Sequence, residues 1–149
     1  MLASRVVRTR PARLAPVALA IAAALVLSAC YTEEEKQAAI LLADARADAG
    51  VQALQPHDEL QAKAHAWAEH MAEIGHIAHS TLTDGITAPW IALGETISSA
   101  GSVEDAFAGQ MNSPSHRSTI TDGRFTHAGV GVARSPDGVV YLAIVFMQL

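Results

Sequence analysis

The stretch SPSHRSTITDGRFTHAGVG, Ser113 to Gly131, decides how the rest of the chain is read. Ser113-Pro114 marks a helix start, because a hydroxyl can accept from the free N–H groups of a first turn and proline is already set for helical φ. His116 then falls in that first turn, where the positive end of the helix dipole favours the neutral imidazole. Asp122-Gly123 signals a turn, and Ala128 to Ala133 alternates small and β-branched residues in the manner of a strand. A histidine held on a short helix just before a sheet strand suggests a site.

Downstream, Val139 to Met147 is almost wholly apolar, which predicts that the strand Val139 to Gln148 is central and covered on both faces. It is joined to the strand Ala128 to Arg134 by Ser-Pro-Asp-Gly, a hairpin signal that sets the two antiparallel. Upstream, Ser102 caps a helix through Met111 with Val103, Ala106 and Phe107 inward, and Trp90 to Ser98 reads as a strand that carries one carboxylate, Glu95. A carboxylate within an apolar strand is costly to enclose without a partner, so an inward, cation-paired Glu95 is expected.

Two helices precede these elements. Thr32 and Glu35 fit a capping box that opens an alanine-rich helix to about Ala49, with Ala38, Leu41, Leu42, Ala45 and Ala49 inward and Glu33 to Glu35 as a solvated first turn. Asp58 to Ile74 places Leu60, Ala64, Trp67, Met71 and Ile74 on one stripe, and Gly75 ends the helix. His65 and Glu69, four residues apart and off that stripe, have metal-sharing spacing but read as a solvated face. The loop that follows offers two histidines, His76 and His79, between which the local sequence does not choose. The core should include Trp67, Met71, Ile74, Ile97, Phe107, Val130, Val132, Leu142, Ile144 and Phe146.

The first 29 residues read as a leader. Arg5, Arg8, Arg10 and Arg13 form a basic start, Val17 to Leu27 is an apolar run too short for the roughly 20 residues of a spanning helix, and Leu27-Ser28-Ala29-Cys30 has the pattern of a bacterial lipoprotein box. The only cysteine lies where a thiol must take the lipid, so residues 30–34 would be the lipidated Cys30 and a short tether, and residues 35–149 the domain. A lone cysteine also leaves the fold without an internal disulfide. Cleavage would leave six Lys and Arg against fifteen Asp and Glu, a net charge of −9. Such a domain should bind neither nucleic acid nor an anionic membrane by charge, and its membrane partner would be reached through the lipid on Cys30.

Ser113-Pro114-Ser115-His116-Arg117 followed by Gly129-Val130-Gly131-Val132 resembles the CAP superfamily of cysteine-rich secretory proteins, venom allergens and pathogenesis-related proteins, whose bacterial branch is called SCP-like. The segment AKAHAWAEHMAEIG with the later His79-Ser80 matches the family's helix and His-Ser loop, and Gly94-Glu95-Thr96-Ile97 matches its G-E-N-[IL] strand. The family's Trp is replaced by Gln110 and its strand Asn by Thr96. The resemblance implies an α+β fold, an α–β–α sandwich with a small antiparallel sheet between helices. It also selects His79 over His76, and implies that His79, Glu95 and His116 converge on one cleft. Glu104 is out of register for a second acidic site residue, and His127 fits a cleft position and a structural role equally well.

Two imidazoles beside a carboxylate suit a borderline divalent cation such as Zn²⁺, His79 and His116 serving as ligands. The expected function is that of an extracytoplasmic, membrane-anchored, non-enzymatic module for a small or envelope-associated ligand. The alternative is a metal-dependent hydrolase with Glu95 as general base. No Ser or Cys nucleophile carries a local activation motif, and the seven histidines are too dispersed for a metal buffer. Mass spectrometry of the membrane fraction should find an acylated N-terminal Cys30, and a soluble, unmodified protein retaining residue 29 would contradict that expectation.

Overall fold

The computed structural model describes residues 31–149, so the leader and Cys30 lie outside the described residues. Four helices and four strands follow in the order α1 (Glu33–Asp48), β1 (Gln55–Pro56), α2 (Asp58–Ile74), β2 (Ala92–Ala100), α3 (Val103–Asn112), α4 (Pro114–Ile120), β3 (His127–Arg134) and β4 (Val140–Gln148). The sheet order is β1-β3-β4-β2. β4 runs antiparallel to both neighbours, pairing Ile144 with Val130 on one side and Thr96 on the other. The expected antiparallel sheet is mixed, because β1 lies parallel to β3 at Gln55 and Pro56. Pro56 has no N–H with which to extend that ladder, so the parallel strand stops at two residues.

The pleat sorts the apolar run of β4 into two cores. Val140, Leu142, Ile144 and Phe146 pack with α1, α3 and α4, whereas Tyr141, Ala143, Val145 and Met147 face α2. The central strand is therefore covered on both faces, as expected. β2 begins two residues later than predicted: Ala92 is the first residue to pair with β4, opposite Gln148, and Trp90 and Ile91 stay exposed before it.

α2 sits on the sheet at backbone distance. A Cβ on Gly129 would overlap the backbone of Leu60 and Gln61, and one on Gly131 the backbone of Ala64 and His65. The buried stripe is accordingly Leu60, Ala64, Ala68, Met71 and Ala72, small residues where the approach is tightest. Trp67 lies at its flank, half-buried instead of fully enclosed, and Ile74 at the last turn is 38% exposed, so both depart from the expected core. Beyond the end of β1, Val130 would leave its outward backbone groups unpaired. Gln61 supplies both partners: its Nε2 donates to Val130 O at 2.8 Å and its Oε1 accepts from Val130 N at 2.9 Å.

α1 carries two buried charges that the sequence reading placed in water or left out. The capping box forms as expected, with Glu35 N donating to Thr32 Oγ1 at 3.2 Å and Thr32 N to Glu35 Oε2 at 2.8 Å. Yet Glu35 is wholly buried, because its other oxygen lies 2.7 Å from His65 Nδ1 on α2. Arg46 is buried too, and its guanidinium donates to carbonyls only: Gln52 O, Ile120 O at 2.7 Å, Asp122 O at 3.0 Å and Phe125 O. Burial lowers its pKa, while Asp122 opposes that shift. These bonds satisfy the last carbonyl of α4 and the turn into β3, which no helix partner could reach. Of the expected inner face, Ala38 and Leu42 are buried, Leu41 and Ala45 are partly so, and Ala49 is exposed.

The start of α4 differs in one detail. Ser113 makes no side-chain cap and its Oγ lies instead 3.2 Å from Ser115 Oγ, so Pro114 alone marks the first turn. His116 remains the third residue of the helix. Gly131→Ala should cost more than about 3 kcal/mol, beyond the usual penalty for overpacking, because backbone and not a flexible side chain stands in the way. Leu142→Ala should cost about 2–5 kcal/mol by cavity formation. Denaturant unfolding measures both, and a neutral Gly131→Ala would contradict the packing of α2 on β3.

Candidate functional site

The loop from residue 76 to 91 is fixed to α2 by three side chains spaced four apart on its outer face. Glu59 accepts from Thr87 N at 2.9 Å, from Ala88 N at 3.0 Å and from the Thr87 hydroxyl. Lys63 Nζ donates to Thr81 O at 2.8 Å and Asp84 O at 3.0 Å. Trp67 Nε1 donates to Ala78 O at 2.7 Å, next to His79. One helical stripe thus sets the path of the segment that delivers His79 and Ser80.

Glu95 points inward from β2, as expected, with a side chain only 2% exposed. Its Oε1 lies 2.7 Å from His79 Nδ1 and accepts from Ser80 N at 2.9 Å, while its Oε2 accepts from Ser80 Oγ at 2.5 Å. A carboxylate oxygen accepts, so the proton of His79 is placed on Nδ1 and the lone pair on Nε2. His79 itself is 60% exposed at the side chain, and its Nε2 makes no hydrogen bond among the described residues. His76, by contrast, is exposed and lies against its own helix end, Nδ1 to Ile74 O being 3.2 Å. The structure therefore brings His79, and not His76, to Glu95.

His116 approaches from the other helical layer. α4 packs with α1 and α3 on one face of the sheet, the loop after α2 lies on the other, and β2 is the edge strand between them. His116 is half-buried, and its pKa is lowered first by burial and then by electrostatic interaction with His79. Among the described residues no three His, Cys, Asp or Glu side chains form a ready metal cage. Both oxygens of Glu95 are engaged by His79 and Ser80. Its place is behind the histidine, as the acceptor that fixes tautomer and ring orientation.

The remaining candidates fall elsewhere. His127 opens β3 beside β1, across the sheet from β2, with its ring edge-on to His57 at 5.9 Å and its Nδ1 2.9 Å from Thr126 Oγ1. Burial and His57 lower its pKa. It does not line the site at the β2 edge. Glu104 bonds to Gln37 of α1 on the surface and takes no part either.

The sequence profile of the family described as cysteine-rich secretory protein family, CAP, matches residues 40–148. The chain belongs to the CAP family. Among curated proteins, none matches it in sequence. An outer surface protein of Borrelia burgdorferi has a similar structure, with a TM-score of 0.70 at 18% identity over 78% of this chain and 93% of that one. An extracellular SCP-domain protein of Bacillus anthracis gives 0.67 at 20% identity over 78% of this chain, but only 40% of the longer protein is covered. The venom allergen-like protein 4 of Schistosoma mansoni gives 0.66 at 10% identity, covering 79% of this chain and 90% of that one. At these identities the likeness concerns the fold.

The two places where this CAP domain departs from the family pattern are in contact. Thr96 Oγ1 donates to Gln110 Oε1 at 2.7 Å, Gln110 Nε2 donates to Ser98 Oγ at 3.1 Å, and Ser98 Oγ donates to Ala106 O at 2.8 Å. Thr96 and Gln110 are both fully buried, so the pair joins α3 to the strand that carries Glu95 without leaving a polar atom unmatched.

Glu59 supplies a pH test of the loop clamp. The Thr87 hydroxyl, followed by the Ala88 and Thr87 amides, lowers its pKa from 4.5 to about 2. A depressed carboxylate adds stability that is present above its unfolded pKa and is lost as the pH falls through the folded one. Hydrogen exchange at Thr87 and Ala88, taken relative to its intrinsic rate at each pH, should therefore stay slow at neutral pH and accelerate between pH 4.5 and about 2. Glu59→Ala should accelerate it already at neutral pH, and unchanged protection in that variant would contradict the clamp.

Proposed function

We propose that this CAP domain is a lipid-anchored, extracytoplasmic binding module whose His79 and His116 hold a divalent cation such as Zn²⁺ within a cleft for a small or envelope-associated ligand. The observation that carries this reading is the 2.7 Å contact of His79 Nδ1 with the buried Glu95, which in the neutral ring leaves the lone pair on Nε2 of a side chain that is 60% exposed. Two neutral imidazoles with water in the open positions form a donor set that Zn²⁺ accepts, and a carboxylate behind a ligating histidine raises its basicity. When bound, the cation would supply a Lewis-acidic point for an anionic or carbonyl-bearing ligand. Glu95 orients His79, Ser80 holds Glu95, and the α2 stripe Glu59, Lys63 and Trp67 holds the loop.

Binding is favoured over hydrolysis by the state of Glu95. A general base needs a carboxylate oxygen free to take a proton from water, and here each oxygen is engaged by Ser80 or His79. Attachment through Cys30 would place the domain outside the cytoplasmic membrane.

A Zn²⁺ titration followed by imidazole NMR tests the proposal. His79 and His116 signals should shift together and saturate together. His79→Ala should leave His116 unshifted. Since only neutral imidazole ligates and an ordinary histidine titrates near 6.5, affinity should fall below about pH 6. Burial, and then electrostatic interaction with His79, hold His116 below that ordinary value, so it stays neutral further into acid than an unperturbed histidine. His79 and His116 signals indifferent to Zn²⁺ at neutral pH would overturn the proposal.

A further inference from the structure

We propose that His65 and Glu69 form a second divalent-cation site, separate from the His79–His116 pair and backed by the buried Glu35. A capping box uses one carboxylate oxygen of Glu35, the one that accepts from Thr32 N at 2.8 Å. The other is 2.7 Å from His65 Nδ1, thirty residues away on α2, with the same spacing that Glu95 keeps from His79. Glu35 is wholly buried, so this contact is enclosed and the proton of His65 is placed on Nδ1. In the neutral ring the lone pair is then on Nε2 of a side chain that is 40% exposed, although the hydrogen bond to Glu35 also raises the pKa of His65, so that a cation would have to displace a proton there.

That nitrogen faces Glu69. The separation from His65 Nε2 to Glu69 Oε1 is 3.5 Å. It is too long for a hydrogen bond, which spans about 2.7–3.2 Å. Two ligands of one tetrahedral cation, each bound at about 2.1 Å, stand roughly 3.4 Å apart. The positions are one helical turn apart, so both side chains rise from the same face of α2. They line an open concavity of about 400 Å³ together with Thr32, Glu73 and Arg134. Glu73 adds negative charge to it. The Arg134 cation is already engaged, Nη2 with Glu34 at 2.5 Å and Nη1 with Gly138 O at 2.8 Å.

The site therefore offers two protein ligands, a fixed tautomer and room for water to complete the coordination. It suits a borderline cation of the Zn²⁺ or Co²⁺ kind, held exchangeably and not as a folding element. It stands beside α1 and β3, whereas His79 and Glu95 stand at the β2 edge, so each pair can be emptied without the other.

The test is a Zn²⁺ titration of the His79→Ala/His116→Ala double variant, which removes the first site. One equivalent should still bind, with the His65 imidazole signals shifting. Glu69→Gln on that background changes an exposed side chain and should weaken binding at least tenfold with the backbone spectrum intact. Glu35→Gln should weaken it ten- to a hundredfold, the usual effect of altering the partner behind a ligating histidine. His65→Ala should abolish it. If the double variant binds no Zn²⁺, or binds it with His65 unshifted, the second site is refuted. Because the first site is absent from the titrated protein, failure of the His79–His116 proposal and failure of this one are read separately.

Discussion

The seating of α2 on Gly129 and Gly131 is the constraint on which the rest of this CAP domain depends. Side chains normally keep a helix and a sheet about 10 Å apart. Here the missing Cβ atoms let the helix backbone rest on β3 itself. Gln61 then serves as a surrogate strand for Val130, which fixes the helix along the sheet as well as above it. With the inner face of α2 so determined, its outer faces point in set directions. One carries Glu59, Lys63 and Trp67 to the loop before β2, and another presents His65 and Glu69 beside the start of α1.

From that placement the site follows by a chain of short polar contacts. Trp67 holds Ala78, the next residue is His79, and Glu95 closes on both His79 and Ser80. Glu95 is tolerable in the sheet because His79 Nδ1, Ser80 N and Ser80 Oγ all donate to it. On the opposite layer Arg46 ties the end of α4 to the turn before β3, which holds the short helix that carries His116. Each histidine is thereby delivered by an element whose own position is settled elsewhere in the fold.

Much of this was legible in the sequence because it is local. The capping box at Thr32 and Glu35, the helix stop at Gly75 and the Ser-Pro-Asp-Gly hairpin all form where their residues fall. The inward Glu95 was legible too, since a lone carboxylate in an apolar strand demands partners. The charged core was not. Glu35 looks like a dipole-favoured surface residue until α2 brings His65 to it, and Arg46 looks like an ordinary last-turn base until three distant carbonyls converge on it. Trp67 fits the apolar stripe by periodicity, yet its indole N–H is needed at Ala78, and that requirement draws it to the flank. Gln110 and Thr96 read singly as departures from the family pattern and only together as one buried pair.

The central claim is that Glu95 fixes His79 as the Nδ1–H tautomer with Nε2 free for a ligand. Long-range ¹H–¹⁵N NMR of the histidine rings at neutral pH tests it most directly. The account predicts a protonated Nδ1 and a lone-pair Nε2 for His79, with that preference lost in Glu95→Ala. A native His79 protonated on Nε2, or a tautomer indifferent to the loss of Glu95, would contradict it.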